Sequence, residues 1–316
     1  MIHILIKDKV DPFVVEQLKQ KGFIVNVSID HAESLLREVK ENEILIVRSA
    51  TKVNEEVIDS AAQTNILKMI IRAGVGMDNI KADYARSKGI QVVNTPDASS
   101  LAVAELALAH MFVLAKKIVI ANSGMREKKW NKKQCEGIEL SGKTLGVIGM
   151  GRIGRILAKK ASALDMKIVY FDIIKPIEVD SSWKSVSMDE LLGQSDFISL
   201  HIPANHSDKG FLIDESEFKK MKKSAFLINT ARGNLVNEEA LIKALDYEEI
   251  AGAGIDVYCQ EPCNNSSLIQ HEKISVTPHV GGSTKEAQFR IGERMIEMIE
   301  DYQKNKLLKE GMLDRN

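Results

Sequence analysis

Cysteine is scarce in this sequence. The three in 316 residues, Cys135, Cys259 and Cys263, are an odd number with no metal-ligand spacing. That argues against a disulfide framework or a structural metal site and points to a reducing cytoplasm. An excess of charge of either sign is also missing. Lys and Arg number 43 and Asp and Glu 44, so no electrostatic affinity for nucleic acid or acidic lipid is expected. No apolar run is long enough to span a bilayer, because the longest, Leu101 to Ala115, is broken by Glu105 and His110. No signal-peptide core opens the chain. Ile2-His3-Ile4-Leu5-Ile6 meets Lys7-Asp8-Lys9 at once and reads as a strand. Neither internal repeats nor low-complexity tracts occur. What remains, 44% hydrophobic and 28% charged residues, is the composition of a soluble globular chain of two ordinary domains.

What is present begins with Thr144-Leu145-Gly146-Val147-Ile148-Gly149-Met150-Gly151-Arg152-Ile153-Gly154. An apolar strand enters Gly-x-Gly-x-x-Gly and a helical pattern follows. Gly149 permits the tight turn, Gly151 leaves room for a pyrophosphate, and Gly154 lets the helix approach the sheet. The helix N-terminus, from Arg152 and Ile153 onward, offers N–H groups to the phosphates. A second strand, Lys167 to Phe171, ends in Asp172, about 20 residues beyond Gly149, where ribose hydroxyls need an acceptor. Asp172 also repels a 2′-phosphate. Ile173-Ile174-Lys175 offers no arginine to neutralise one, so the expected cofactor is NAD.

Ahead of this motif, strand-like runs at Ile2–Ile6, Phe23–Val27, Ile44–Val47, Met69–Ile71 and Gln91–Val93 alternate with helical patterns near Pro12–Gln20, Ala32–Lys40, Glu55–Ala61 and Ala82–Ser87. They predict a small parallel α/β domain. A helix rich in Ala, Leu and Val follows Thr95-Pro96, from about Ser100 to Ile120. It is apolar around most of its circumference and is expected to be buried, at a subunit interface in a homodimer. Later strands are expected at Asp196–Leu200, Ala225–Asn229, Ala251–Ile255 and Ile274–Val276. A closing helix runs from about Thr284 to Tyr302 and can return to the first domain. The fold expected is α/β: a Rossmann dinucleotide-binding domain, 95–283, and a smaller flavodoxin-like parallel α/β substrate-binding domain, 1–94 with 284–316. A ligand cleft between the two is expected.

Three polar residues follow the carboxyl ends of predicted strands, the edge where open α/β sheets place ligands. They are Arg232 in Asn229-Thr230-Ala231-Arg232-Gly233, Glu261 in Asp256-Val257-Tyr258-Cys259-Gln260-Glu261-Pro262, and His279 in Thr277-Pro278-His279-Val280-Gly281-Gly282. Taken singly, each type is more often a surface or core residue. Together they suit hydride chemistry on a 2-oxo acid. An arginine binds carboxylate and carbonyl oxygens, a histidine exchanges the hydroxyl proton, and a carboxylate on that histidine favours its charged form.

The chain resembles the D-2-hydroxyacid dehydrogenase family, most closely its phosphoglycerate dehydrogenases. The segments that carry the resemblance are Val47–Val53, Arg72-Ala73-Gly74-Val75-Gly76-Met77-Asp78-Asn79, Lys129–Lys133, Ser141–Gly146 and Gly281-Gly282-Ser283-Thr284-Lys285-Glu286-Ala287-Gln288. The resemblance implies NAD-dependent oxidation of 3-phosphoglycerate, the first step toward serine. Glyoxylate or hydroxypyruvate reduction, or an NAD-sensing interaction protein, remain open alternatives. It implies that Arg232 binds substrate, that Glu261 supports His279, and that His279 is the acid/base. Val75, Ile202, Thr230, Ala231, Asp256, Gly281 and Gly282 would join the glycine motif around the cofactor. Ala73, Gly74, Val75 and Gly76 would hold the substrate carboxylate, and Arg48 would face its other charged end. Apart from the resemblance, the basic stretch Lys128-Lys129 to Lys132-Lys133 reads first as a solvated surface, and Lys132 or Lys133 of a second subunit could assist at a phosphate. Two stretches depart from the family, Asn205-His206-Ser207-Asp208-Lys209-Gly210 and Asp97-Ala98. The serine-sensing C-terminal domain of many members is not expected here.

Overall fold

The computed structural model describes residues 1–29, 34–174, 176, 179–204 and 210–309. Its elements begin with β1 (His3–Ile6), α1 (Pro12–Gln20), β2 (Ile24–Val27), α2 (Leu35–Glu38), β3 (Ile44–Val47), α3 (Glu55–Ala62), β4 (Met69–Arg72), α4 (Ala82–Ser87) and β5 (Gln91–Asn94). Next come α5 (Ser100–Ala115), α6 (Ile118–Arg126), β6 (Thr144–Ile148), α7 (Arg152–Ser162), β7 (Lys167–Phe171), β8 (Lys184–Ser185), α8 (Met188–Gln194), β9 (Phe197–Leu200), α9 (Glu215–Phe218) and β10 (Phe226–Asn229). The chain continues with α10 (Glu238–Asp246), β11 (Gly252–Ile255), α11 (Ser266–Ile269), β12 (Ile274–Val276) and α12 (Lys285–Lys309). Two compact units result. Met1–Ser99 and Gly282–Asn316 form one, and Ser100–Gly281 the other.

The first unit is a parallel sheet in the order β2-β1-β3-β4-β5, the flavodoxin-like arrangement. Period-two alternation of apolar side chains supplies two cores. Ile4, Ile6, Ile44, Ile46, Met69 and Ile71 pack with Val14 and Leu18 of α1 and with Ile291, Met295 and Ile299 of α12. Leu5, Leu45, Val47, Ile70 and Val92 pack with Leu35, Val57, Ile58 and Ala85 from α2, α3 and α4. Local signals start the helices: Asp11 accepts the Phe13 N–H ahead of Pro12, and Asn54 accepts that of Val57.

In the second unit seven parallel strands lie in the order β12-β11-β10-β9-β6-β7-β8. This is the six-stranded dinucleotide-binding order with one strand added beyond β11. Leu145, Val147, Ile168, Tyr170, Phe197 and Ile228 share one core with Ala104, Ala107 and Met111 of α5 and Leu157 and Ala161 of α7. Ile148, Val169, Ile198, Leu200, Leu227 and Ile255 face the other, with Leu191, Phe218 and Leu241. The strand order reverses between β6 and β9, which is where such sheets open a crevice at their carboxyl edge.

The expected 100–120 helix ends at Ala115. Lys117 turns into the left-handed region, at φ 49°, and α6 starts anew. The cause is tertiary: the Ala115 carbonyl accepts the Ile138 N–H at 2.8 Å. Gly137 passes so close that a Cβ there would lie 2.1 Å from the same oxygen. Inside its unit α5 packs on α7, β10, β11 and β12. The last helix runs seven residues beyond its expected end. Of the helix expected from Ala32, only Leu35–Glu38 is helical among the described residues. Lys175 and residues 205–209, on which the sequence reading also drew, lie outside them.

Phe197, in central strand β9, is fully buried and stacks on Phe226 with ring centroids 5.1 Å apart. Phe197→Ala is expected to cost about 3–5 kcal/mol, read as a lower urea midpoint. A loss under about 1 kcal/mol would mean that the second core tolerates the cavity.

Candidate active site

The carboxyl edge of the second sheet gathers the sequence-predicted residues of that unit. Gly149 leaves β6 at φ 94°, and a Cβ on it would lie 2.5 Å from the His201 carbonyl oxygen and from Ile202. A Cβ on Gly154 would lie 2.2 Å from the Gly149 carbonyl oxygen, whereas Gly151 has nothing within 4 Å of that position. The two outer glycines are thus closed in and the middle one faces open space. Gly151 caps α7 without a side-chain bond, and the first turn, containing exposed Arg152 and half-buried Ile153, holds no acidic residue. The leading N–H groups and positive dipole end therefore meet no carboxylate in that turn, the arrangement that receives a phosphate.

Asp172, after β7, accepts the Met150 N–H at 2.7 Å and the Ile174 N–H at 2.9 Å. It ties the glycine turn to the neighbouring strand. Past β10, the Thr230 hydroxyl is buried and lacks a hydrogen-bond partner among the described residues. A buried, unsatisfied hydroxyl is costly, and one on this edge fits a site that a dinucleotide completes. Ala231 donates its N–H to Asn229 at 3.1 Å. His201, which precedes Ile202, bonds Ser199 at 2.8 Å. Burial lowers its imidazole pKa to about 3, so it stays neutral.

Glu261 and His279 come from loops after β11 and β12 and meet: His279 Nδ1 lies 2.7 Å from Glu261 Oε2. That contact leaves Nε2 as the ring nitrogen available to a substrate. The two side chains are 40% and 36% exposed, so they are reachable. Burial alone raises the Glu261 pKa. The His279 hydrogen bond and charge, the Tyr258 N–H and the nearby Arg232 charge outweigh it and hold the carboxyl below its ordinary value. Arg232 is half-buried and donates to the Ala231 carbonyl at 2.6 Å. Asp256 is buried, and it accepts bonds from the Thr277 hydroxyl at 2.6 Å, the Val280 N–H at 2.8 Å and the Gly281 N–H at 2.9 Å.

Arg48, Ala73, Gly74, Val75, Gly76 and Gly282 belong to the first unit. Arg48 follows β3, and its guanidinium donates to the Lys9 carbonyl at 3.1 Å. Its backbone is held twice. Asp8 accepts the Arg48 N–H and, at 2.8 Å, the Thr51 hydroxyl, while the Asn79 amide donates to the Arg48 and Thr51 carbonyls at 2.7 and 2.6 Å. The Ala73–Gly76 turn follows β4. It is tied to β3 by the Ala73 N–H on the Val47 carbonyl, and the Asn94 amide holds the Val75 carbonyl. Asp8 and Thr277 carry only a weak signal in the sequence, since each is a short polar residue just past a strand. Lys132 and Lys133 are exposed on a 3-10 turn.

A family model, described as the NAD binding domain of D-isomer specific 2-hydroxyacid dehydrogenases, matches residues 108–281. The D-3-phosphoglycerate dehydrogenase of Rattus norvegicus is 41% identical over 308 residues, which are 96% of this chain and 57% of that protein. The hydroxypyruvate reductase of Thermotoga maritima is 41% identical over 299 residues, 93% of this chain and 96% of that one. Among solved structures, D-lactate dehydrogenase from Aquifex aeolicus, complexed with NAD and lactic acid, is similar with a TM-score of 0.85 and 29% identity over 96% of each chain. The chain thus spans a little over half the length of the phosphoglycerate dehydrogenases it matches.

NAD(H) is expected to bind more tightly than NADP(H), because a 2′-phosphate would face the Asp172 carboxylate. Calorimetric titration of both should show it, with Asp172→Ala narrowing the gap; equal affinities in the wild type would refute the assignment. With its pKa lowered, the Glu261 carboxyl stays ionised through the ordinary carboxylate range and loses its charge only as pH falls below it. Across neutral pH its effect is therefore constant. Glu261→Gln removes the charged partner of the His279 ring, so kcat should fall by about 10-fold or more while NAD(H) binding persists. An unchanged kcat would separate Glu261 from proton transfer.

Proposed function

The chain belongs to the D-isomer specific 2-hydroxyacid dehydrogenase family, as an NAD-dependent oxidoreductase, and we propose that it oxidises 3-phospho-D-glycerate to 3-phosphohydroxypyruvate, the first step toward serine. The observation that carries this reading is Arg48. Two anchors, buried Asp8 and half-buried Asn79, hold its backbone, which supplies a second guanidinium besides Arg232. A substrate with a carboxylate at one end and a phosphate at the other calls for two such groups.

In this mechanism Arg232 and the N–H groups of the Ala73–Gly76 turn bind the carboxylate and the C2 oxygen. His279 Nε2 takes the hydroxyl proton, and Glu261 stabilises the resulting imidazolium. NAD, when bound there, would supply the acceptor for the hydride that leaves C2. Thr230, Ala231, Ile202, Asp256, Gly281 and Gly282 are the residues that would hold the nicotinamide ring and its ribose. The reductase alternative uses the same groups and is supported by the identity to the Thermotoga maritima enzyme. Turnover of any 2-hydroxy acid would exclude a purely NAD-sensing role. A cytoplasmic homodimer is the assembly we favour. Ile118, Val119, Met125 and Trp130, on α6 and the loop after it, are 45%, 57%, 56% and 81% exposed, a cluster that a second copy would cover.

Arg48→Ala should lower kcat/KM for the phosphorylated substrate by roughly 10- to 150-fold, the worth of one charge-assisted hydrogen bond, and spare unphosphorylated hydroxypyruvate. Equal losses would assign Arg48 to the shared 2-oxo acid end. His279→Ala should lower kcat by about 100-fold or more while NADH still binds. Near wild-type turnover with chemistry rate-limiting would remove His279 from its role. Light scattering at micromolar concentration should give twice the chain mass, and a single-chain mass would overturn the dimer.

A further inference from the structure

His110 is a buried titratable residue that the mechanism above leaves unused. It lies in α5, 2% exposed, and spends both ring nitrogens on the strand that leads to His279. Nδ1 lies 2.9 Å from Ser275 Oγ and Nε2 lies 3.2 Å from Thr277 Oγ1. Gly254 of β11 makes the approach possible, since a Cβ there would lie 2.7 Å from the His110 Cβ. Thr277 in turn bonds Asp256 Oδ1 at 2.6 Å.

Counting protons gives this chain a direction. An ionised Asp256 only accepts, so the single hydroxyl proton of Thr277 goes to it. Thr277 Oγ1 is then an acceptor, and Nε2 of His110 must carry a proton. Burial, partly opposed by the Asp256 charge, lowers the His110 pKa, so the ring is neutral and Nδ1 accepts from Ser275. The run Ser275 to His110 to Thr277 to Asp256 therefore donates one way, into the carboxylate. Asp256 passes the constraint on. Its partners Thr277, Val280 and Gly281 bracket His279, which itself sits at φ 52°, in the left-handed region that a non-glycine residue adopts only when its surroundings impose it.

We propose that His110, acting through the Thr277 hydroxyl, is a positioning residue that orients Asp256 and thereby fixes the loop carrying His279. The proposal rests on the reading of His279 as the acid/base. A merely structural staple between α5 and β12 would affect stability alone. Positioning instead couples the pair to the chemical step, where a misplacement near 1 Å is worth on the order of 100-fold.

The test uses the full-length protein and the variants His110→Leu, Thr277→Val and Thr277→Ser. Nitrogen-15 NMR of labelled imidazoles, with no ligand added, should show His110 protonated at Nε2 and bare at Nδ1 near pH 7. The Nε2 resonance should shift in Thr277→Val and return in Thr277→Ser. In 2-oxo acid reduction, His110→Leu and Thr277→Val should each lower kcat about 10-fold or more with KM little changed. Thr277→Ser should restore kcat, and the double variant should be no worse than either single one, because both cut one path. Protonation at Nδ1 overturns the proposal, as does full kcat in a folded Thr277→Val protein or an equal loss in Thr277→Ser. If His110→Leu does not fold, the two Thr277 variants decide. If no 2-oxo acid turns over, the proposed function fails, while the imidazole signals still test the chain of bonds.

Discussion

Asp256 is a carboxylate that the fold takes out of water, and burial of that kind is tolerated only when hydrogen bonds replace the lost solvent. The side chain obtains three, from Thr277, Val280 and Gly281. Satisfying the charge and shaping the loop are thus the same event. Once these bonds form, the segment between β12 and the second glycine has few conformations left, and His279 is carried into its unusual backbone state as a result. The Glu261 contact then sets the ring, so backbone and side chain are held by different carboxylates.

The same logic recurs in the first unit with different residues. Asp8, at the end of β1, holds the start of the Arg48 loop from below, and Asn79 closes it from the β4 side. In both units a parallel sheet delivers loops to its carboxyl edge, and buried polar side chains one strand away decide where those loops stop. The placement of these loops depends on satisfied polar groups beneath them as much as on the residues along them.

These dependencies explain which parts were readable in advance. The glycine turn and Asp172 are local in sequence, and a pyrophosphate at a helix start together with the ribose beyond it dictates their spacing. β-strands announce themselves through continuous apolar runs such as Ile44–Val47, buried at every position because side chains on both faces of the pleat meet a core. Strand-end position singled out Arg232, Glu261 and His279. Their distances were not legible, because the loops that hold them fold on tertiary contacts. The break after Ala115 was hidden for the same reason: Ile138 N–H and Gly137 act on it from a segment well downstream. Asp8 was unreadable because its partner Thr51 lies beyond two helices and two strands. A two-residue strand such as β8 carries no periodicity at all.

The path of the chain has a consequence for its biogenesis. Ile291, Met295 and Ile299 of α12 cover one face of a sheet whose strands all lie before residue 95. A ribosome releases that sheet before the second unit and its cover after it. The nascent first unit therefore waits with Ile4, Ile6, Ile44, Ile46 and Ile71 lacking their helix, a sticky surface of the kind that recruits chaperones. The second unit, whose core draws only on residues 100–281, can close beforehand. Of these two units, the one whose strands are translated earlier is the one that matures later.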